Sequence, residues 1–172
     1  MSPMQKTIMV IDGYNVIHKV PAWESLLNDD DLEGARRSLM AFCAAWMASR
    51  RDIWMFYVVF DGDPRVLPQT GNYARGVRQI FTGSGEKADD RIVDIVRERE
   101  SDCRIIVVTE DRQVMRQSRA FGAELLNVSA FYSTTASSRQ RKRHSGEVEE
   151  DKNCLTPNQK KMINDELRRI WA

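Results

Sequence analysis

The stretch Thr7-Ile8-Met9-Val10-Ile11-Asp12-Gly13-Tyr14-Asn15 decides the fold. It starts as a short, β-branched, unalternating run, the pattern of a strand buried on both faces of a central sheet. It stops at an acid followed by a glycine. Two more runs repeat the design. Trp54-Met55-Phe56-Tyr57-Val58-Val59-Phe60 ends at Asp61, and Arg104-Ile105-Ile106-Val107-Val108-Thr109 leads through Glu110 to Asp111. Between them Glu86-Lys87-Ala88-Asp89-Asp90 opens an amphipathic segment. Parallel strands share one carboxyl edge, so acids at their ends converge there. Converging carboxylates repel one another, and a hard divalent cation relieves that repulsion. The expectation is a metal-dependent enzyme.

Working outward, Asp30 or Asp31 is placed to cap a helix from about Leu32 to Arg50, after a loop that includes His18. Ala35, Leu39, Phe42, Cys43, Trp46 and Met47 follow helical spacing and predict one face against the sheet. Pro64, Pro68 and Gly71 mark a long loop over about 62–74. A strand at about 76–81 follows, then a helix from about Lys87 to Arg99 with Ala88, Ile92, Ile95 and Val96 on one face. The helix after the 104–109 strand buries Val114, Met115, Ser118 and Phe121, and Gly122 is placed to end it in a left-handed cap. A fifth strand spans about 123–128. This alternation predicts an α/β sandwich with a mostly parallel sheet. From Ser133 to Asn153 the chain turns polar, with Arg139-Gln140-Arg141-Lys142-Arg143 ahead of acids from Glu147 to Asp151, and reads as a mobile linker. Thr156-Pro157 then starts a last helix whose apolar face packs back on the domain. The expected division is a domain over 1–132, a linker over 133–153 and a C-terminal helix over 154–172.

A chain of 172 residues fits one domain with a core of its own. No apolar run approaches the roughly 18 residues of a membrane span, and no secretory leader pattern opens the sequence, so a cytoplasmic protein with no membrane contact is expected. Cys43, Cys103 and Cys154 have no zinc or redox spacing; Cys43 falls on a core-facing helix stripe. A net charge of +1 does not decide the partner.

Each acid has a bland reading. Asp12 and Asp111 suit helix caps, Asp61-Gly62 is a turn dipeptide, and Asp89 and Asp90 suit a helix first turn. Their coincidence at strand ends and one helix start favours a shared site, and the chemistry it suits is metal-assisted phosphodiester hydrolysis with magnesium or manganese. Neither His18 nor His144 is placed to act as a general base.

The segments Ile11-Asp12-Gly13-Tyr14-Asn15-Val16-Ile17, Val59-Phe60-Asp61, Glu86-Lys87-Ala88-Asp89-Asp90-Arg91-Ile92 and Val108-Thr109-Glu110-Asp111 resemble the NYN domains, and within them the YacP-like branch of the PIN-like nucleases. The resemblance covers about residues 6–132. It implies a PIN-like three-layer α/β/α sandwich and metal-dependent endoribonuclease activity on single-stranded RNA, with a messenger RNA and ribosome context in one branch. It also implies Asp12, Asp61 and Asp89 as core metal acids, Asn15 as an orienting residue, and Glu86, Asp90 and Asp111 as supporting acids. The sequence Thr109-Glu110-Asp111 leaves either acid to face the site; Asp111 is preferred, with Thr109 as a supporting hydroxyl.

For RNA, Arg112, Arg116 and Arg119 recur at helical spacing beside Asp111. Arg75 and Arg78 follow Tyr73, and Lys87 and Arg91 flank the acids. Guanidinium groups suit phosphate, and interleaved aromatics suit unpaired bases. The alternative for the arginines is a solvated helix face. A haloacid-dehalogenase-like phosphatase would want a second Asp where Tyr14 stands. The rival outside enzymes is an RNA-binding module with an inactive or structural acidic site. The oligomeric state stays open.

Overall fold

The computed structural model describes residues 6–62, 71–99 and 103–133. Strands β1 (Thr7–Asp12), β2 (Ile53–Phe60), β3 (Gly71–Ala74), β4 (Val77–Phe81), β5 (Arg104–Val108) and β6 (Glu124–Leu126) form one sheet in the order β3-β4-β2-β1-β5-β6. All neighbours pair in parallel except the β3–β4 hairpin. The helices are α1 (Gly13–Lys19), α2 (Pro21–Asn28), α3 (Leu32–Ser49), α4 (Ala88–Arg99) and α5 (Arg112–Ala120), and residues 128–133 are also helical.

Alternation along the strands sorts the core into two layers. Met9, Ile11, Phe56, Val58, Phe60, Val77, Phe81 and Val108 face one way, against Val16, Ile17, Trp23, Ala35, Leu39, Cys43 and Trp46 from α1, α2 and α3. Ile8, Val10, Tyr57, Val59, Ile105 and Val107 face the other way, against Ala88, Ile92, Ile95 and Val96 of α4 and Val114 of α5. The result is a three-layer α/β/α sandwich. Burial pushes the Cys43 thiol well above its ordinary pKa, so this fully buried group acts as a small hydrophobe.

This topology positions the site. From β1 the chain reaches β2 through α1 to α3 on one face; it later reaches β5, on β1's other side, through α4 on the opposite face. The connections above β1 therefore diverge and open a crevice at its carboxyl end, where α/β proteins bind ligands. Asp12 is the last residue of that strand.

Three expectations need correction. The loop between Asp12 and Asp30 is two helices, α1 and α2, so His18 lies on a helix, exposed on its last turn. These helices are short, and Pro21 at the first turn of α2 interrupts their apolar pattern. The long loop ends in β3, an edge strand whose polar residues Asn72 and Tyr73 lack strand alternation. The last predicted strand is only Glu124–Leu126, because the chain turns helical at Val128. Val114 and Ser118 are buried as expected, while Met115 and Phe121 are half-buried; Gly122 takes φ +85° after α5. The linker and C-terminal helix expected after residue 133 lie outside the described residues.

Candidate active site at the carboxyl edge of the sheet

Asp12 leaves β1 at the residue where α1 begins, and Gly13 makes that turn possible. A Cβ on Gly13 would collide with the Phe60 ring at the end of β2. Asp12 is 7% exposed. Its Oδ1 accepts from Asn15 N at 3.4 Å and its Oδ2 from the Thr109 hydroxyl at 3.3 Å. Asn15 Oδ1 in turn accepts from Glu110 N at 2.9 Å, which ties the end of β1 to the loop after β5. Thr109 Oγ1 also accepts from Asp111 N at 3.1 Å. Asn15 is thus a positioning residue across two strand ends.

Asp61, after β2, accepts Ala88 N at 2.7 Å and so caps α4 from across the crevice. This bond brings the acidic start of α4 to the sheet edge. Gly62 N donates to the buried Thr82 hydroxyl at 3.3 Å, which steadies the chain after Asp61. Asp111 caps α5 by accepting Gln113 N and Val114 N on one oxygen, Oδ1, at 2.8 and 3.0 Å.

The electrostatics show which acids share a space. Burial drives the Asp12 carboxyl up from 3.8 to about 6, the Asn15 and Thr109 bonds oppose this, and the negative charges of Asp89 and Asp61 add to it. Asp89 is also raised, first by burial and then by Asp111, Asp61 and Asp90. Asp89 therefore stands within electrostatic reach of Asp111, Asp61 and Asp90, and Asp12 within reach of Asp89 and Asp61. Among the described residues none of Asp12, Asp61, Asp89 and Asp111 forms an ion pair. Glu110 instead meets Lys19 at 3.4 Å, which leaves Asp111 as the acid of that loop whose charge reaches Asp89.

The remaining expected residues stand further out. Glu86 is exposed and its Oε2 accepts Gly83 N at 3.3 Å, closing its own turn. Asp90 is exposed on α4; Lys87 is exposed and Arg91 half-buried beside it. Arg112, Arg116 and Arg119 are exposed along α5, opposite its buried Val114 and Ser118. Arg75 and Arg78 are exposed on the β3–β4 hairpin, Arg78 on the face of β4 that also carries Ile80. One residue was not anticipated. Arg36 is 8% exposed, and its Nη1 donates to the Tyr14 hydroxyl at 3.0 Å. The signal was present, since Arg36 sits on the apolar stripe of α3 beside Ala35, Leu39 and Met40.

Hard oxygen donors suit magnesium or manganese, and here only Lys87 places a nearby positive charge on Asp89 among the described residues. Among the described residues no three His, Cys, Asp or Glu side chains close into a cage. Oxygen donors of this kind suit an ion that keeps several of its waters, as magnesium does.

A family profile described as the YacP-like NYN domain matches residues 9–172, nearly the whole chain. The chain belongs to the YacP-like NYN domain family. That family is nuclease-like, in keeping with an acid-lined crevice. This NYN domain is similar in fold to the crystal structure of Rae1 (YacP) from Bacillus subtilis, with 23% identity and a TM-score of 0.61 over 95% of this chain and 91% of that one. A tryptophan-to-leucine mutant of the same Bacillus subtilis protein gives 24% identity and a TM-score of 0.64 over 78% of each chain. No match was found among curated protein sequences. No helix among the described residues is long and apolar enough to cross a membrane.

Proposed function

We propose that this NYN domain is a metal-dependent endoribonuclease that hydrolyses single-stranded RNA internally in the cytoplasm, with messenger RNA in a translation-associated setting as its context. One observation carries the reading: Asp89 at the start of α4 lies within electrostatic reach of Asp61 and Asp111, and Asp12 at the end of β1 within reach of Asp89 and Asp61, with no ion pair to any of the four among the described residues. Asp12, Asp61 and Asp89 would hold magnesium or manganese, with Glu86 and Asp90 at the rim. A bound ion of this kind supplies Lewis acidity and lowers the pKa of water.

The chain's own residues do the rest. Asn15 and Thr109 fix the Asp12 carboxylate, so it meets substrate without reorganising. Asp111 adds negative charge beside Asp89 and holds the first turn of α5 in place. Arg112, Arg116 and Arg119 lead away from it along α5 and suit phosphates of the strand outside the crevice.

The test compares the purified protein with an Asp12→Asn variant on unstructured RNA in magnesium, manganese or EDTA. Internal cuts are expected with metal only, and none from the variant. Cuts that persist equally in the variant or in EDTA would refute the mechanism. The rival reading, a binding module with an inactive acidic site, draws on the capping bonds that already employ Asp12, Asp61 and Asp111. Tight, salt-sensitive RNA binding without cleavage by either protein would favour it.

A further inference from the structure

Arg36 carries a charge that the carboxylate site does not use. It is 8% exposed, yet among the described residues no carboxylate pairs with it. Its guanidinium lies 5.8 Å from the Phe81 ring centre, and among the described residues only Nη1 donates a hydrogen bond, to the Tyr14 hydroxyl at 3.0 Å. A guanidinium has five N–H donors, and a buried charge left without a counter-ion is costly. Among the described residues, the Arg36 donors beyond the Tyr14 bond are not fully buried unpartnered atoms, so they remain open to the groove.

The space it borders is a groove of about 260 Å³ between the first turns of α3 and the β3–β4 hairpin. Glu33, Arg36, Arg37, Asn72, Tyr73 and Gln79 line it. Glu33 pairs with Arg37 at 3.0 Å, which among the described residues leaves Arg36 as the groove's cation without an ion pair. Gln79, on the α3 face of β4, offers an amide donor and acceptor. Tyr73, 44% exposed, offers an open ring face on the edge strand. The volume falls below the roughly 300–1,000 Å³ of pockets for drug-sized ligands and suits a smaller unit.

Its place in the fold ties it to the carboxylates. Helix α3 ends where β2 begins, so its first turns lie at the carboxyl edge of the parallel strands. Tyr14, which bonds Arg36, follows Asp12 by two residues and packs edge-on against Phe60 at 5.1 Å. Phe60 in turn stacks on Phe81 at 5.5 Å. A packed aromatic row thus runs from the acidic crevice to the guanidinium.

We propose that this groove is a nucleotide subsite: it takes one phosphate of the RNA strand on Arg36 and the attached base against Tyr73, with Gln79 meeting the base edge. A planar fork of donors suits phosphate, and an exposed aromatic suits an unpaired base. The subsite rests on the RNA reading and deepens it, because it gives the strand a fixed register beside the four aspartates.

The experiment measures binding of a fluorescein-labelled, mixed-sequence single-stranded RNA 12-mer by anisotropy over a salt series. The full chain carries Asp12→Asn as the parent, so that the RNA stays intact. Adding Tyr73→Ala is expected to weaken binding about tenfold, the scale of one lost base stack. Adding Arg36→Gln is expected to weaken it about tenfold and to flatten the salt slope by about 0.7, one phosphate contact on a single strand. Arg36→Lys should restore the slope and not the full affinity, since an ammonium keeps the charge without the fork. Should Arg36→Gln melt too low to use, Tyr73→Ala and Gln79→Ala decide the matter. Affinity and slope unchanged in the variants that fold would overturn the subsite, while metal-dependent cleavage by the wild type would leave the nuclease reading standing. Weaker binding in the groove variants without any cleavage by the wild type would keep the subsite and refute the nuclease. A parent that binds no RNA overturns the subsite, and with no cleavage by the wild type it overturns the nuclease reading as well.

Discussion

Asp12→Asn should make this protein more stable at neutral pH while silencing it. Asp12 is 7% exposed and its carboxyl is raised from 3.8 to about 6 by burial, with Asp89 and Asp61 adding to the effect. Holding it ionised at pH 8 therefore costs the fold about 3 kcal/mol, at about 1.4 kcal/mol per pKa unit. An acid with a folded pKa above its unfolded value binds its proton more tightly when folded. Its contribution favours the fold fully below about 3.8 and is lost as pH rises through about 6. Asparagine removes the charge, keeps a carbonyl for the Asn15 N–H, and places an amide near Thr109 where the carboxylate accepted a bond. Allowing for a weakened Thr109 contact, the net gain is about 1–3 kcal/mol, or roughly 3–10 °C in Tm for a chain of this size. The assay is thermal unfolding followed by circular dichroism in EDTA from pH 4 to pH 8. The variant's Tm should exceed the wild type's most at pH 8, with the gap closing towards pH 4. Millimolar magnesium should then raise the wild type alone, since a ligand of the native state stabilises by mass action. A variant less stable at pH 8 by an amount that does not change with pH would refute the reasoning. It would show that Asp12 serves chiefly as the α1 cap.

Two further outcomes follow from the same geometry. Gly13→Ala places a methyl group into the Phe60 ring, so a loss of about 1–3 kcal/mol is expected in urea unfolding; an unchanged midpoint would mean that the β1–α1 turn has room the contact denies. Replacing Arg112, Arg116 and Arg119 together with Gln should weaken RNA binding and flatten its salt dependence by up to about 2, about 0.7 per phosphate contact, as read by anisotropy in a salt titration. An unchanged slope would return the three to a solvated helix face.

Much of this was legible in the chain because it is local. Unalternating β-branched runs mark strands buried on both faces whatever surrounds them, and β1, β2 and β5 lie where those runs predict. Helix α3 declared itself through long, regular apolar spacing, with Asp31 as its cap. Helices α1 and α2 did not, being seven and eight residues long, too short for the 3.6-residue period to stand out. Strand β3 was hidden for a related reason: an edge strand gains order from its hydrogen bonds to β4 and carries no alternating pattern of its own.

At the candidate site, local pattern was enough to say which acids end strands or open helices, and hence that a carboxylate cluster at one sheet edge was to be expected. The bonds those acids make follow from contacts between distant elements. Divergent connections on either side of β1 open the crevice, Asp61 reaches α4 to bring Asp89 inward, and Glu110 turns to Lys19 while Asp111 stays with the cluster. Arg36 shows the same division. Its place on an apolar stripe is written in α3, but its partnership with Tyr14, its ring contact with Phe81 and its groove against β3 join segments tens of residues apart. Distance along the chain is the physical reason: periodicity reports what a residue's own element buries, whereas charge and solvation at a point depend on every element packed around it.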